Sequence, residues 1–547
     1  MADDVHEEAF DGSISRRELL RGAAAGAAFA AGGGALLAGA GPAGAAGGGK
    51  SQNPDVCEGT RDIILHNGRF IDYRGAVASQ LTVKDGRIVA VDRGKDLGTC
   101  TRRINLRGRT VIPGLIDSHA HFTRTGTNPG YETRWMETVF SIAELQQAVA
   151  ERAAEIPAGA FVTAAGGWNQ NQLAEARLPT LAELNAATST RAVYLNGRTN
   201  SVGAAFFAGF GITTDPVTGQ VSSTGNATAA LRSIQTFEDK VRGTADAIAF
   251  AAAVGLTSIH DTSNLTNQPE DYKAMNGLYQ DSGRSLDVRM RHYRYFGPTA
   301  TTDQLRVYCD PIYREVGDET YRINGVGEQI GNGDQFMDNL RVVAAAGWRV
   351  QQHTLSADDH EHHIADMIMV GEEFDIAPLR WSLAHLPLAT EADIQGLKAV
   401  GAGATLQDWL YLSSNVGPPF RMIYDSGIPV GAGTDSTNVA PLNPWLGLFY
   451  MSTGRNLAGV ETNAAQKITR LQALEMYTVG SAWFSEEEND LGSFEVGKKC
   501  DLAVLSDDYL KVSDEKLRKG DLALHPPGRK GRARNRPVRG PGLRQAG

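Results

Sequence analysis

From Asp62 the apolar residues come in short alternating runs, Ile63-Ile64-Leu65, Leu81-Thr82-Val83 and Ile88-Val89-Ala90-Val91. They are parted by the turn pairs Asn67-Gly68 and Asp85-Gly86. Short strand-like runs bounded by such turns predict a small β-sandwich over residues 60–110. After residue 111 the pattern changes. Strand-like runs, among them Val111 to Ile116, Phe161 to Ala164 and Leu256 to Ile259, now alternate with segments whose apolar residues recur at helical spacing. Ile142 to Ala154, Phe336 to Ala346 and Glu391 to Val400 are such segments. The alternation runs to about residue 483 and predicts an α/β architecture around a parallel sheet. A closed (β/α)8 TIM barrel with insertions is the economical form, and it carries its chemistry at the carboxyl ends of its strands.

The first fifty residues do not share these periods. Ser15-Arg16-Arg17-Glu18-Leu19-Leu20-Arg21 precedes a weakly apolar Ala/Gly-rich run to about Ala46, with small-residue cleavage sites at Ala38-Gly39-Ala40 and Ala43-Gly44-Ala45. A charged start, an apolar middle and a cleavable end predict a twin-arginine signal and linker over residues 1–50. The many glycines argue against a stable membrane helix there. The expected destination is the periplasm or the cell exterior, with the twin-arginine export machinery as a partner. The formal charge of −10 argues against a nucleic-acid-binding surface, which would be basic. Cys57, Cys100, Cys309 and Cys500 lie too far apart for a zinc-knuckle pattern and read as incidental thiols. From 516 to Gly547 the chain turns Arg/Gly/Pro-rich, which predicts a basic disordered tail or the product of a frameshift.

The candidate chemistry begins with Val111-Ile112-Pro113-Gly114-Leu115-Ile116-Asp117-Ser118-His119-Ala120-His121. Side chains alternate along a strand, so His119 and His121 point the same way, roughly 6–7 Å apart at the backbone. Three more residues close strand-like runs. Trp348 to His353 and Arg380 to His385 each end in a histidine, and Ile428 to Asp435 ends in an aspartate. The intervals of 32 and 50 residues fit one and two compact βα units, with Gly403 to Gln407 as the intervening strand. Imidazoles and a carboxylate suit a divalent metal, Zn²⁺ first among them.

The Pro-Gly-x-Ile-Asp-x-His-x-His run resembles the first metal-binding strand of the amidohydrolase superfamily. From about Asp62 to Val512 the chain resembles its amidohydrolase-3 branch, which includes N-substituted formamide deformylases. Near the far end, Gly497-Lys498-Lys499-Cys500-Asp501 resembles the family's Gly-Lys-x-Ala-Asp segment and is followed by strand-like Leu502 to Leu505. The resemblance therefore implies that residues 484–515 complete the sandwich, making one discontinuous domain from both chain ends around a barrel at 111–483. It implies hydrolysis of a C–N bond in an amide, formamide or cyclic amide small-molecule substrate. His119, His121, His353, His385 and Asp435 would bind one or two ions. Asp435 would also take the proton of the nucleophilic water and pass it to the leaving group.

Two departures stand out against that family. The fourth strand of many relatives carries a carboxylated lysine; this chain reads Arg322-Ile323-Asn324-Gly325-Val326-Gly327-Glu328, which puts Glu328 in that place as a metal ligand. Where relatives show Gly-His, this chain has Gly197-Arg198, and a permanently cationic Arg198 would favour an anionic substrate; a structural ion pair is the competing reading. Gly166-Gly167-Trp168-Asn169-Gln170 resembles the family's loop after the second strand, making Trp168, Asn169 and Gln170 substrate-binding candidates. His260, at another strand end, is read as a catalytic residue facing substrate or oxyanion. His360-Glu361-His362-His363 follows a helix-start signal and is read as a solvated helix. A non-catalytic binding protein on the same scaffold, or a deaminase or isomerase, are the other function classes, and self-association is left open.

Overall fold

Eight short strands, most of whose residues are buried, arrange themselves as one parallel sheet, as strands covered on both faces do. In chain order they are β1 (Leu115–Ala120), β2 (Leu256–Asp261), β3 (Arg289–Arg294), β4 (Tyr321–Glu328), β5 (Val350–Thr354), β6 (Ser382–His385), β7 (Gly403–Gln407) and β8 (Val430–Gly433). Every residue of β1, β2, β6 and β7 is buried. Each strand pairs with the next in sequence, from β1 to β8. Just beyond the strands the ends meet: the Asp435 N–H donates to His119 O at 2.9 Å and the His121 N–H to Ser436 O at 2.6 Å. The sheet is thus a closed (β/α)8 barrel. The computed structural model describes residues 7–9, 62–93, 101–164, 166–262, 269–310, 314–407, 417–436, 439–520 and 522–523.

The helices outside the barrel start where side chains can bond their free N–H groups. Ser356 caps Ala357–Glu373 and Thr390 caps Glu391–Ala399, each with an acidic residue bonding back three positions on. Their apolar faces, with those of Asp334–Ala345 and Phe237–Ala253, form one continuous core against the outer face of the barrel.

The amino-terminal end of the barrel is stoppered. Phe484 lies over Gly403 and Gly431, where any side chain would collide with its ring. Its carbonyl accepts from Tyr293 Oη at 3.0 Å and Asn324 Nδ2 at 2.9 Å. Buried arginines ring this floor, and each has a carboxylate. Arg291 grips Glu487 through two bonds of 2.7 Å, Arg289 meets Asp501 at 2.9 Å, and Arg349 meets Glu486 at 2.5 Å and Glu315 at 2.7 Å.

Two further sheets form the sandwich around a core of their own. One contains Ile63–His66, Leu81–Lys84, Arg87–Val91 and Arg102–Asn105, with Glu7–Ala9 as a parallel edge strand. The other joins Arg69–Asp72, Gly75–Ala78 and Thr110–Pro113 to Leu502–Val504 from the far end of the chain. Glu7–Ala9 joins this sheet from within the first fifty residues. The twin-arginine motif itself, Cys57, Cys100 and the tail beyond Ala523 lie outside the described residues. Within the stretch read as a tail, Lys516 to Arg518 belong to the helix Asp514–Arg518, and Leu517 and Leu522 are fully buried. Among the described residues no helix is long and apolar enough to cross a membrane.

A second correction concerns Phe161–Ala164. It is not a barrel strand but belongs to a separate four-stranded sheet with Tyr131–Glu132, Ala192–Leu195 and Arg198–Thr199, inserted between β1 and β2. Alternate residues of that sheet face two small cores, Val162 and Val193 on one side, Phe161 and Tyr194 on the other. A buried strand's periodicity says that both faces are covered, not which sheet it joins.

Candidate metal centre

Six side chains from five strand ends converge at the mouth. His119 comes from β1 and His121 just beyond it, Glu328 closes β4, His353 stands near the end of β5, His385 closes β6, and Asp435 follows β8. His119 Nε2 lies 3.2 Å from Glu328 Oε2 and 3.4 Å from Asp435 Oδ1. His121 Nε2 lies 3.5 Å from Glu328 Oε1 and 3.1 Å from Asp435 Oδ1. On the other side of Glu328, its Oε2 is 3.2 Å from His353 Nδ1 and 3.5 Å from His385 Nε2, and these two nitrogens are 2.8 Å apart. Donors held 2.0–2.1 Å from one tetrahedral ion lie about 3.3 Å from each other. The observed spacings are those of a ligand shell, and the donors fall into two groups that share Glu328.

The local backbone is bent to bring them there. His385 (φ 76°) and Asp435 (φ 54°) both adopt left-handed conformations. Non-glycine residues take such a conformation at a cost, and it clusters at functional sites. Asp117 holds the junction of β1 and β8: its carboxylate accepts from the His119 N–H at 3.0 Å, the Thr434 N–H at 3.0 Å and the Thr434 hydroxyl at 2.6 Å.

The electrostatics ask for a cation. Burial opposes charge on His119, yet Asp435 and Glu328 outweigh it and raise His119 to about 10. Burial would likewise push Asp435 up, but His119 and His121 hold it well below the usual carboxylate range. Glu328 is held low against its own burial by His121, His119, His353 and His385. His385 is pulled down to about 4 by burial, despite Glu328, and so is neutral at pH 7. Two buried carboxylates facing four imidazoles are a donor set that fits a divalent ion.

The remaining candidates fall elsewhere. His260 is wholly buried inside the barrel with its ring centroid 6.2 Å from that of Tyr293, the tyrosine that reaches the floor; burial lowers it to about 3, so it stays neutral. It is not among the converging donors. Trp168 is buried in the inserted sheet's core with Nε1 donating to Ala164 O at 3.3 Å. Asn169 caps the short helix Gln170–Gln172, and Gln170 is exposed. Arg198 stays within the insert and donates to Thr218 O at 3.1 Å. The helix carrying His360, His362 and His363 is present, but its expected solvation is corrected. His360 and His363 turn inward, and His363 Nδ1 lies 3.0 Å from Thr354 Oγ1. Gln351 had no sequence signal beyond its place on a strand, yet its Oε1 lies 2.5 Å from His119 Nδ1.

Residues 102–523 match the Amidohydrolase family. The chain belongs to that family. Among curated relatives it is 21% identical to the N-substituted formamide deformylase of Arthrobacter pascens over 533 residues, covering 84% of this chain and 96% of that one. An allantoinase of Bacillus licheniformis is 40% identical over 74 residues, 14% of this chain; the match spans only 15% of the allantoinase. Among solved structures, an uncharacterized metal-dependent hydrolase from Pyrococcus horikoshii superposes with a TM-score of 0.55 at 20% identity, covering 83% of this chain and 99% of that one. The atrazine chlorohydrolase of Arthrobacter aurescens complexed with zinc gives 0.52 at 16% identity, covering 85% and 92%. These two likenesses are likenesses of fold.

Proposed function

We propose that this amidohydrolase is a metal-dependent hydrolase that cleaves a C–N bond in an amide, formamide or cyclic amide. The observation that carries the reading is the donor spacing at the mouth, which matches a coordination shell. His119, His121, Glu328 and Asp435 would hold one ion, and Glu328, His353 and His385 a second, with zinc the first candidate. A divalent ion at this place supplies Lewis acidity, which acidifies water and polarises a carbonyl oxygen. Asp435 removes the proton from the attacking water, the water oxygen bonds to the carbonyl carbon, and Asp435 delivers that proton to the nitrogen as the C–N bond breaks. Glu328 offers permanently the carboxylate that a lysine offers only after reacting with carbon dioxide. That removes the main support for a non-catalytic binding protein. Full-length similarity to a formamide deformylase favours a small N-substituted amide as substrate. Export through the twin-arginine route, which carries folded proteins, suits an enzyme that acquires its metal before leaving the cytoplasm.

The test is elemental analysis of the purified protein beside Glu328→Ala, with hydrolysis followed over an amide and formamide panel. Two ions in the wild type and one or none in the variant are expected. A wild type that holds no divalent ion, or a loaded wild type that hydrolyses nothing on the panel, would defeat the reading.

A further inference from the structure

We propose that Gln351 fixes the proton of His119 on Nδ1 and so reserves Nε2 for the ion. This inference rests on the metal-site reading above and assigns a positioning residue to it. Gln351 is completely buried on β5, two residues before His353 and on the same face of the strand. Its Nε2 donates to Ser118 O at 3.1 Å. A carbonyl oxygen only accepts, so this bond determines which way the amide faces. The other end, Oε1, then lies against His119 Nδ1 at 2.5 Å. Oε1 also only accepts, so Nδ1 must carry a hydrogen. The single ring nitrogen left to bind an ion is Nε2, the one directed at Glu328 and Asp435.

The backbone that carries Gln351 is closely packed. Gly327 on β4 runs so close to β5 that a Cβ there would sit 2.2 Å from Gln351 O. His121 has a weaker counterpart, Thr262 Oγ1 at 3.4 Å from its Nδ1. One strand, β5, therefore supplies both a ligand and the group that orients a ligand on β1. Without that group the Nε2–H tautomer becomes accessible and turns a hydrogen toward the place of the ion.

The experiment uses the full chain and zinc itself. Zinc affinity is measured by competition with a chromophoric chelator for wild type, Gln351→Met and Gln351→Glu. Methionine matches the side chain's length but accepts no comparable bond, whereas a glutamic acid protonated on the oxygen facing Ser118 O donates there as the amide does and still accepts from Nδ1–H through its other oxygen. Expected are a loss of about 10- to 100-fold for Gln351→Met, and restoration or tightening for Gln351→Glu, with unchanged far-UV circular dichroism. Equal affinity in wild type and Gln351→Met, or equal weakening in both variants, would overturn the assignment. Independently of variant folding, ¹⁵N-histidine spectra of the zinc-loaded wild type should show His119 protonated on Nδ1; metal on Nδ1 would also overturn it. A wild type that binds no zinc removes the metal site and this role together, whereas an unchanged Gln351→Met beside a zinc-binding wild type removes this role alone.

Discussion

At the floor of the barrel Arg291 meets Glu487, Arg289 meets Asp501, and Arg349 meets Glu315 and Glu486. At the mouth, four imidazoles and two carboxylates face one another around a common centre. Both ends bury ionisable groups, and they solve the resulting cost in opposite ways. The floor pairs each guanidinium with a carboxylate inside the chain, so its charges are settled on folding. The mouth gathers donors whose natural partner is a divalent cation, and only protons substitute for it in its absence. Buried polar groups satisfied within the protein hold a fold together, whereas groups converging on a point outside the chain mark its chemistry.

The contrast can be broken at each end. Asp435→Ala should lower kcat/KM by about a thousandfold or more on any hydrolysed amide, while the protein stays folded. A smaller loss in steady-state assays would take proton transfer away from this residue. At the floor, Glu487→Ala strands Arg291 in a buried site and should cost about 3–5 kcal/mol in urea unfolding, with zinc content unchanged. If zinc were lost and stability kept, the two ends would not be separable. Chelator treatment should remove activity and the stabilisation due to binding, about 2.7 kcal/mol at a hundredfold excess of zinc over Kd, with both returning on zinc addition. Thermal scans with and without chelator read this directly.

The smallest effect concerns the join between the insert and the mouth. Glu137 is buried and accepts from the Leu442 and Asn443 N–H groups at 2.9 and 3.0 Å, in the segment that follows Asp435. Burial, only partly offset by Arg134, raises it from 4.5 to about 8. A carboxyl raised on folding contributes stability that is complete below its ordinary value and is lost as pH climbs through about 8. Glu137→Gln should therefore flatten the decline of the melting temperature over that window. An identical slope in the variant would assign the decline to other groups.

Much of this was legible along the chain. His119 and His121 follow the apolar run Val111 to Ile116, although the structure splits that run between the sandwich strand Thr110–Pro113 and β1, and His353, His385 and Asp435 sit at or just beyond further strand ends with βα spacing between them. Gly403–Gln407 and the helix at Ile142–Glu155 fall where the periodicity puts them. The failures share one physical cause, that period reports local burial and not partners. Phe161–Ala164 has a barrel strand's pattern but lies in the inserted sheet, so the loop after it, with Trp168 and Asn169, is committed to packing and capping. His360 and His363 sit at helical spacing in a charged stretch, yet their face of the helix is the buried one. Gln351 carries no motif at all, because what matters about it is a residue more than two hundred positions away.

The chain alone determined the alternation of strand and helix, because hydrophobic period follows directly from which side of each element must be buried. It also determined the identities of the metal-ligand candidates, because few side chains besides imidazoles and carboxylates suit a hard or borderline cation. Tertiary structure decided the rest. Closure of the sheet brought β1 beside β8, so that Glu328 stands between two groups of histidines and Asp435 meets His119 across the seam. It also decided which buried charges found partners, at the floor, and which were left facing one another at the mouth. Those outcomes depend on distances between elements, and distance is what the order of residues does not contain.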